Sequence, residues 1–225
     1  MTYVLVHGGG MSARFWDLLV PELDGRALAV DLPGRNGKPG DLVTLTVDEE
    51  VASVVADIEG AAIDDDVVLV AHSSGGLVVP GVVAALAARA AERGGGGRVA
   101  HVVLNAASVP PEGGCGLDCM QDRHREGLLV AFEAAERDGT PMLTPGPPDD
   151  AESFRRTYGG DPLDDETLAF VVDPARCVPD TMNHYRQPVH WSQVGDVAVT
   201  YVINERDRPI PVALQEEMAA RLPHP

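Results

Sequence analysis

Positive charge is scarce in this sequence. It contains one lysine, Lys38, and its 17 lysines and arginines are outnumbered by 35 aspartates and glutamates, which gives a formal net charge of −18. Nucleic acids and anionic membranes are bound by clustered lysines and arginines, so this balance argues against both as partners. An acidic surface of this kind mainly favours solubility. We therefore expect no nucleic-acid partner and no membrane partner.

Cysteine is also scarce. The three cysteines, Cys115, Cys119 and Cys177, form an odd and sparse set, which fits a reducing compartment better than a disulfide framework. Cys115, Cys119 and His124 are the nearest approach to a metal-binding set, but their spacing matches no standard zinc pattern. The sequence therefore predicts neither a metal nor another cofactor.

Long apolar runs are missing. No stretch approaches the length of apolar sequence that spans a bilayer. The N-terminal residues TYVLVH enter a strand pattern at once, which leaves no room for a signal peptide before it. At 225 residues with 44% hydrophobic residues, the chain is long and apolar enough to bury one large core. We expect a cytoplasmic globular protein.

Strand-like runs alternate with helical patterns along most of the chain. The strand patterns cover residues 3–7, 27–31, 66–71, 99–105 and 197–203, and the helical patterns cover about 13–23, 47–59, 76–92 and 211–221. This alternation predicts an α/β fold, a mostly parallel sheet with helices on both faces. In such sheets the loops at the carboxyl ends of the strands build the functional site.

One long segment interrupts the alternation. Residues 108–195 are rich in Pro, Gly and Asp, with helical patches near 123–137, 150–158 and 164–171 and no convincing strand. We predict that this segment is a helical cap over the strand ends, inserted between a first core part, 1–107, and a second core part, 196–225. Its aromatic residues either line an apolar pocket or form the cap's own core; they are Phe132, Phe154, Tyr158, Phe170, Tyr185 and Trp191.

The stretch VVLVAHSSGGLVVPGVV, residues 67–83, contains a candidate nucleophile. The β-branched run at its start predicts a buried strand, and the second apolar run predicts a buried helix. The cluster of small residues between them predicts a sharp turn. The positions two before and two after a nucleophilic serine must be small, because strand and helix cross closely there. Ser73 satisfies this with Ala71 and Gly75, whereas Ser74 would put His72 at a tight position. Ser73 is the predicted nucleophile, and a purely structural turn is the alternative.

The glycines of HGGG, residues 7–10, follow the first strand and supply a candidate oxyanion hole. Three glycines let the backbone approach a substrate oxygen closely, so the N–H of Gly9, or that of Gly10, is a candidate donor. The N–H of Ser74, the residue after the nucleophile, is the second predicted donor. A glycine turn without a ligand is the structural alternative.

A catalytic acid is expected after a later strand. VTYVINERDRPIP offers Glu205 and Asp207 there. We favour Asp207 because Pro209 and Pro211 open the next helix and leave the aspartate in the loop. A solvated turn charge is the alternative interpretation.

Together these segments resemble a known family. YVLVHGGGMSARFW, AVDLPGR, VAHSSGG and YVINERDRPIP look like successive signatures of the α/β-hydrolase superfamily, closest to its small capped esterase and hydroxynitrile-lyase-like branch. The resemblance covers the core, roughly 1–107 and 196–222. It implies a serine hydrolase acting on a small carboxylic ester or related acyl substrate. The alternatives are a lyase on the same fold and a catalytically incomplete, hydrolase-like binding protein.

The sequence departs from the family pattern at three places. Ala71 stands where the elbow usually has glycine, and Asn204 also stands where many members have glycine. The third departure concerns the catalytic histidine, which the family carries after the acid, a helix and one more strand. We expect that this segment is missing here. His224 is a candidate base but follows Asp207 by only a helix. For the other histidines we expect structural roles, or places in the cap; they are His7, His72, His101, His124, His184 and His190.

Overall fold

The computed structural model describes residues 1–143, 150–161 and 163–222. Five strands form one parallel sheet in the order β2-β1-β3-β4-β5. They are β1 (Thr2–Val6), β2 (Arg26–Val30), β3 (Val67–His72), β4 (Val99–Asn105) and β5 (Ala198–Val202). Each strand coincides with a predicted run to within a few residues, and the predicted α/β fold is confirmed.

Seven α-helices are present in the described residues. They are α1 (Val47–Gly60), α2 (Val79–Arg93), α3 (Asp122–Asp138), α4 (Ala151–Tyr158), α5 (Asp165–Val171), α6 (Asn183–Arg186) and α7 (Val212–Ala219). Local sequence explains their ends. The Thr46 side chain accepts the N–H of Glu49 and the Glu49 carboxylate accepts the N–H of Thr46, a capping box that starts α1. Gly94, at φ 81°, ends α2.

The predicted helix over 13–23 is wrong. Two short 3₁₀ turns, Ala13–Trp16 and Val20–Glu22, stand in its place. Pro21 lies near the end of the segment, in the second turn; its ring has no N–H and would clash with the carbonyl group four residues earlier, so a continuous helix is interrupted. Within these two turns only Trp16 is buried.

The main hydrophobic core lies on the central strands. Val4, Leu69 and Leu104, from β1, β3 and β4, are each 0% exposed. The same core includes Val189 and Trp191, which belong to the last part of the segment predicted as a cap. A second, smaller cluster contains buried residues Phe132, Ala135, Met142, Met182 and Tyr185. The division into core and cap stays a prediction.

The expectation that no stretch is apolar and long enough to span a bilayer is wrong by length and composition alone, because the helical stretch Ser73–Arg93 is apolar enough to cross a membrane. It combines a 3₁₀ turn, Ser73–Val78, with α2. Inside this fold 61% of its apolar window is buried, as in the core helix of a globular protein.

Candidate active site

Ser73 lies at the sharp turn between β3 and the helix that follows. Its φ of 51° is in the left-handed region, which a residue with a side chain adopts only where the surroundings enforce it. A Cβ added to Gly75 would lie 2.6 Å from the carbonyl oxygen of His7, and one added to Gly76 would lie 2.5 Å from that of Ser108. Ala71 is fully buried. The small residues therefore permit a crossing that places Ser73 at the carboxyl end of β3.

The glycine loop after β1 lies against this turn. A Cβ added to Gly8 would lie 2.9 Å from Cβ of Ser73, and one added to Gly9 would lie 3.0 Å from Oγ of Ser74 and would collide with the Tyr185 hydroxyl. The N–H of Gly10 donates to Oδ2 of Asp180 at 2.9 Å and is thereby occupied. For Gly9, the described residues provide no acceptor to its N–H.

Asp207 is half-buried, and burial raises the pKa of its carboxyl above the usual value. Its Oδ1 accepts the N–H of Ile210 at 2.9 Å, and its backbone pairs with Gly159 of the segment between β4 and β5. Glu205, the alternative acid, is exposed and is absent from the lining of the cavity described next. The loop after β5 therefore directs Asp207, and not Glu205, towards the site.

A cavity of about 340 Å³ lies between the turn at Ser73 and the loop that carries Asp207. Ser73, His72 and Asp207 line it together. Most of the remaining lining is apolar and includes Phe15, Phe154, Tyr158, Phe170 and Ile210. Of the six aromatic residues in the predicted cap, three therefore line the cavity, and the other three, Phe132, Tyr185 and Trp191, are buried in the two hydrophobic cores.

Comparison with protein families agrees with this arrangement. The sequence model described as the alpha/beta hydrolase family matches residues 3–225. The chain belongs to this family. Its parallel five-stranded sheet is thus that of an alpha/beta hydrolase.

Solved structures with the same fold include several hydrolases. An extracellular alpha/beta-hydrolase from a Paenibacillus species, described as sharing structural and functional homology with tobacco salicylic acid binding protein 2, superposes with a TM-score of 0.76 at 18% identity, over 99% of this chain and 86% of that one. A thermophilic esterase from Thermogutta terrifontis gives 0.65 at 18% identity, over 99% and 78%. A pyrethroid hydrolase from Sphingobium faniae JZ-2 gives 0.62 at 20%, over 100% and 86%. Comparison with curated protein sequences found no similar one.

The histidines nearest the site are held in other contacts. His7 is fully buried; its Nε2 accepts the N–H of Leu32 at 3.3 Å and its Nδ1 therefore donates to the carbonyl oxygen of Gly8 at 2.8 Å. Burial, aided by Arg35, lowers the pKa of His7 to about 3. The His72 ring stacks on Phe15 at 4.4 Å between ring centroids, and burial lowers its pKa to about 4. Both rings are therefore neutral near pH 7, and His72 is a weak base.

The remaining histidines of this alpha/beta hydrolase are spread over the structure. His101 contacts Thr200, and His190 contacts Glu112. In residues 1–143, 150–161 and 163–222 no histidine nitrogen is hydrogen-bonded to Ser73 or Asp207. His224 lies outside the described residues.

A buried charged network lies behind the glycine loop and was not found from the sequence. Arg35, Glu50, Asp180 and His184 are each at most 1% exposed. The Arg35 guanidinium donates to Asp180, and His184 bridges Oε2 of Glu50, at 2.6 Å, and the carbonyl oxygen of Ser74, at 3.0 Å. Burial alone lowers the pKa of His184, but Glu50 outweighs burial and raises it above the usual value. The network's members come from distant parts of the chain, so no local motif signals it.

The cysteines do not assemble a metal site in the described part of the chain. No group of three or more His, Cys, Asp or Glu side chains there has the arrangement to hold a metal ion. Cys115 precedes the 3₁₀ turn Gly116–Cys119, and Cys119 ends it. Burial raises the pKa of the Cys119 thiol to about 12, which keeps it protonated. A protonated thiol is a poor metal ligand.

Proposed function

We propose that the chain is a serine hydrolase acting on a carboxylic ester, with Ser73 as nucleophile and Asp207 as the acid that orients the base. The observation that carries this proposal is the left-handed backbone of Ser73 at the end of β3, in a cavity that Asp207 also lines. The hydrolase family of the chain and the hydrolases among its structural neighbours support the same reaction class. No cofactor is needed for this chemistry.

The reaction proceeds in two acyl-transfer steps. The Ser73 Oγ attacks the ester carbonyl carbon while its proton passes to an imidazole base, for which His224 is the candidate in the sequence, and the carbonyl π electrons move onto oxygen. The N–H groups of Gly9 and Ser74 stabilise that oxyanion. Collapse of the intermediate expels the alcohol, which takes the proton back, and leaves an acyl-serine. Water then attacks the acyl-serine by the same route, releasing the acid and restoring Ser73.

The cavity supports a substrate with an apolar acyl or alkyl portion. Phe154, Tyr158 and Phe170 lie on or next to α4 and α5 and cover the pocket from the segment between β4 and β5. Apolar walls with a few polar groups at one end are typical of small-molecule sites. A small-molecule ester is the partner we propose. A cytoplasmic location, and the lack of nucleic-acid and membrane partners, stay predictions.

The test is labelling of Ser73 and hydrolysis of esters. The protein is treated with a fluorophosphonate probe, and the labelled residue is located by mass spectrometry; hydrolysis of p-nitrophenyl acetate and butyrate is followed in parallel. We expect modification at Ser73 and hydrolysis that Ser73→Ala abolishes, while Ser53→Ala, on α1, leaves both unchanged.

Three results would contradict the proposal. Labelling at a serine other than Ser73 would assign the nucleophile to that serine. Ser73-independent or absent turnover across a wide ester panel, combined with Ser73-dependent cleavage of a cyanohydrin, would favour the lyase instead. Saturable binding of an ester without any turnover or labelling would favour a binding protein.

A further inference from the structure

We infer that Asp180 is a positioning residue for the oxyanion hole: its carboxylate, paired with Arg35, fixes the peptide group that follows Gly9. This inference rests on the proposed function, since it assigns the Gly9 N–H its role. Asp180 is 0% exposed and lies in the segment between β4 and β5, so the segment that covers the cavity also holds the loop beneath it. Asp180 itself touches no substrate atom in this scheme.

Both peptide groups next to Gly9 are held. The carbonyl oxygen of Gly8 accepts the Nδ1–H of His7, and the N–H of Gly10 donates to Oδ2 of Asp180. In a planar trans peptide the C=O and N–H groups point in opposite directions. The bond from His7 to the Gly8 carbonyl therefore directs the Gly9 N–H away from His7. The bond from the Gly10 N–H to Asp180 fixes the next peptide group, which joins Gly9 to Gly10.

The loop needs such restraints because of its own composition. Gly8, Gly9 and Gly10 lack side chains, so their backbone has many accessible conformations. A side chain at Gly9 is excluded, because its Cβ would collide with the Tyr185 hydroxyl. Because side chains cannot make this loop rigid, hydrogen bonds to its backbone must do so. A further one joins the Val178 N–H to the Gly10 carbonyl at 2.9 Å.

Only a carboxylate satisfies the donors around Asp180. Oδ2 accepts the Gly10 N–H and the Tyr185 hydroxyl, at 2.9 and 3.0 Å, while Oδ1 accepts from Arg35 and from the Thr181 N–H. An amide in this place would turn its NH₂ group towards one of the two donor pairs. Burial raises the pKa of Asp180, but Arg35, His184 and the two backbone N–H groups outweigh burial and lower it, so the carboxylate stays charged.

The experiment measures binding of a boronic acid, which mimics the tetrahedral intermediate. When phenylethylboronic acid binds, the Ser73 Oγ–B bond forms, no bond to boron breaks, and the serine proton passes to solvent. Asp180→Asn should weaken this binding by about 10-fold or more, because release of the peptide group after Gly9 lets the Gly9 backbone rotate and turns its N–H away from the adduct. In the same variant kcat for p-nitrophenyl butyrate should fall while KM stays within about 2-fold.

Tyr185→Phe is the matched control. It removes the other donor to Oδ2 of Asp180 and keeps the ring, so the bond from Gly10 persists. We expect boronate affinity within about 3-fold of the wild type. Equal boronate affinity in Asp180→Asn and the wild type would overturn the inference while leaving the proposed function intact. Absence of Ser73-dependent boronate binding in the wild type would instead contradict the proposed function.

Amide hydrogen exchange on the wild type keeps the inference testable if Asp180→Asn does not fold. By NMR, the Gly10 amide should be protected in the free protein, because it is bonded to Asp180. The Gly9 amide should exchange faster and become protected when the boronic acid binds. A Gly10 amide that exchanges as fast as that of Gly9 in the free protein would overturn the inference.

Discussion

Ser73 and Asp207 line one cavity although they follow different strands, β3 and β5, with β4 between them. Two strand spacings separate the ends of β3 and β5 by about 10 Å. No hydrogen bond joins Ser73 to Asp207 in the described structure. In the proposed reaction, that separation leaves room for an imidazole between Ser73 and Asp207, which is how a serine, a histidine and an aspartate divide their roles in acyl transfer.

Asp207→Asn should reduce the imidazole-dependent part of kcat for p-nitrophenyl butyrate by about 10-fold or more, because the imidazole base loses the carboxylate that orients it and stabilises its charge. Steady-state hydrolysis measures the effect. Glu205→Gln is the control, since this exposed neighbour does not line the cavity, and its kcat should stay within about 2-fold of the wild type. A large loss in Glu205→Gln with little in Asp207→Asn would reassign the acid.

The same Asp207→Asn variant should be more stable than the wild type at pH 7. Burial raises the pKa of Asp207, so the folded state binds its proton more tightly than the unfolded state. The free energy of unfolding therefore falls as pH rises through the unfolded and folded pKa values of Asp207. At pH 7 the carboxyl is ionised in both states, so the whole of this loss is present. Asparagine has no charge to bury, and its Oδ1 still accepts the Ile210 N–H. Urea unfolding at pH 7 measures the gain; a lower midpoint for Asp207→Asn would contradict it.

Added imidazole should accelerate Ser73-dependent hydrolysis by residues 1–225. No histidine in the described residues is hydrogen-bonded to Ser73, and a positioned base contributes about 10²–10⁴-fold to such reactions. We expect about a 10-fold rise at millimolar imidazole, after subtraction of the rate measured with Ser73→Ala. Turnover that imidazole leaves unchanged and that His224→Gln abolishes would assign the base to His224.

The cavity should favour longer acyl chains until it is full. Burial of two added methylene groups contributes about 1.6 kcal/mol of binding free energy. kcat/KM for the butyrate ester should therefore exceed that for the acetate by about 15-fold. Phe154→Ala opens the apolar wall and should lower this ratio by about 3- to 5-fold. Val130→Ala, at an exposed position on α3, serves as control and should keep the wild-type ratio. An unchanged ratio in Phe154→Ala would place the acyl group elsewhere.

His7→Gln should make stability less dependent on pH. The pKa of His7 is about 3 in the folded state, whereas an unfolded histidine titrates near 6.5. Below pH 6.5 the unfolded state therefore binds a proton that the folded state does not, and stability falls as pH falls. Between pH 7 and 5.5 this loss is about 1 kcal/mol for one such group. Urea unfolding at pH 7 and pH 5.5 should show that the wild type loses about 1 kcal/mol more unfolding free energy than His7→Gln over this range. Identical losses in both proteins would refute the prediction.

The sequence by itself determined the features that depend on local spacing. Alternating strand and helix patterns predicted the parallel sheet, and the need for small residues around a strand-to-helix turn selected Ser73 over Ser74. These requirements act within a few residues, so they are visible in the chain. The helix predicted over 13–23 failed because Pro21 outweighed the hydrophobic pattern.

Only the tertiary structure decided what depends on residues far apart in the chain. The motif HGGG gives no reason to choose between Gly9 and Gly10 as a hydrogen-bond donor to a substrate. Asp180 makes the difference, because it accepts the N–H of Gly10. Phe154 and Phe132 look alike as aromatic residues, yet one lines the cavity and the other is buried in a core. Side-chain burial and hydrogen bonding across the fold set these differences, and the order of residues along the chain carries no local record of them.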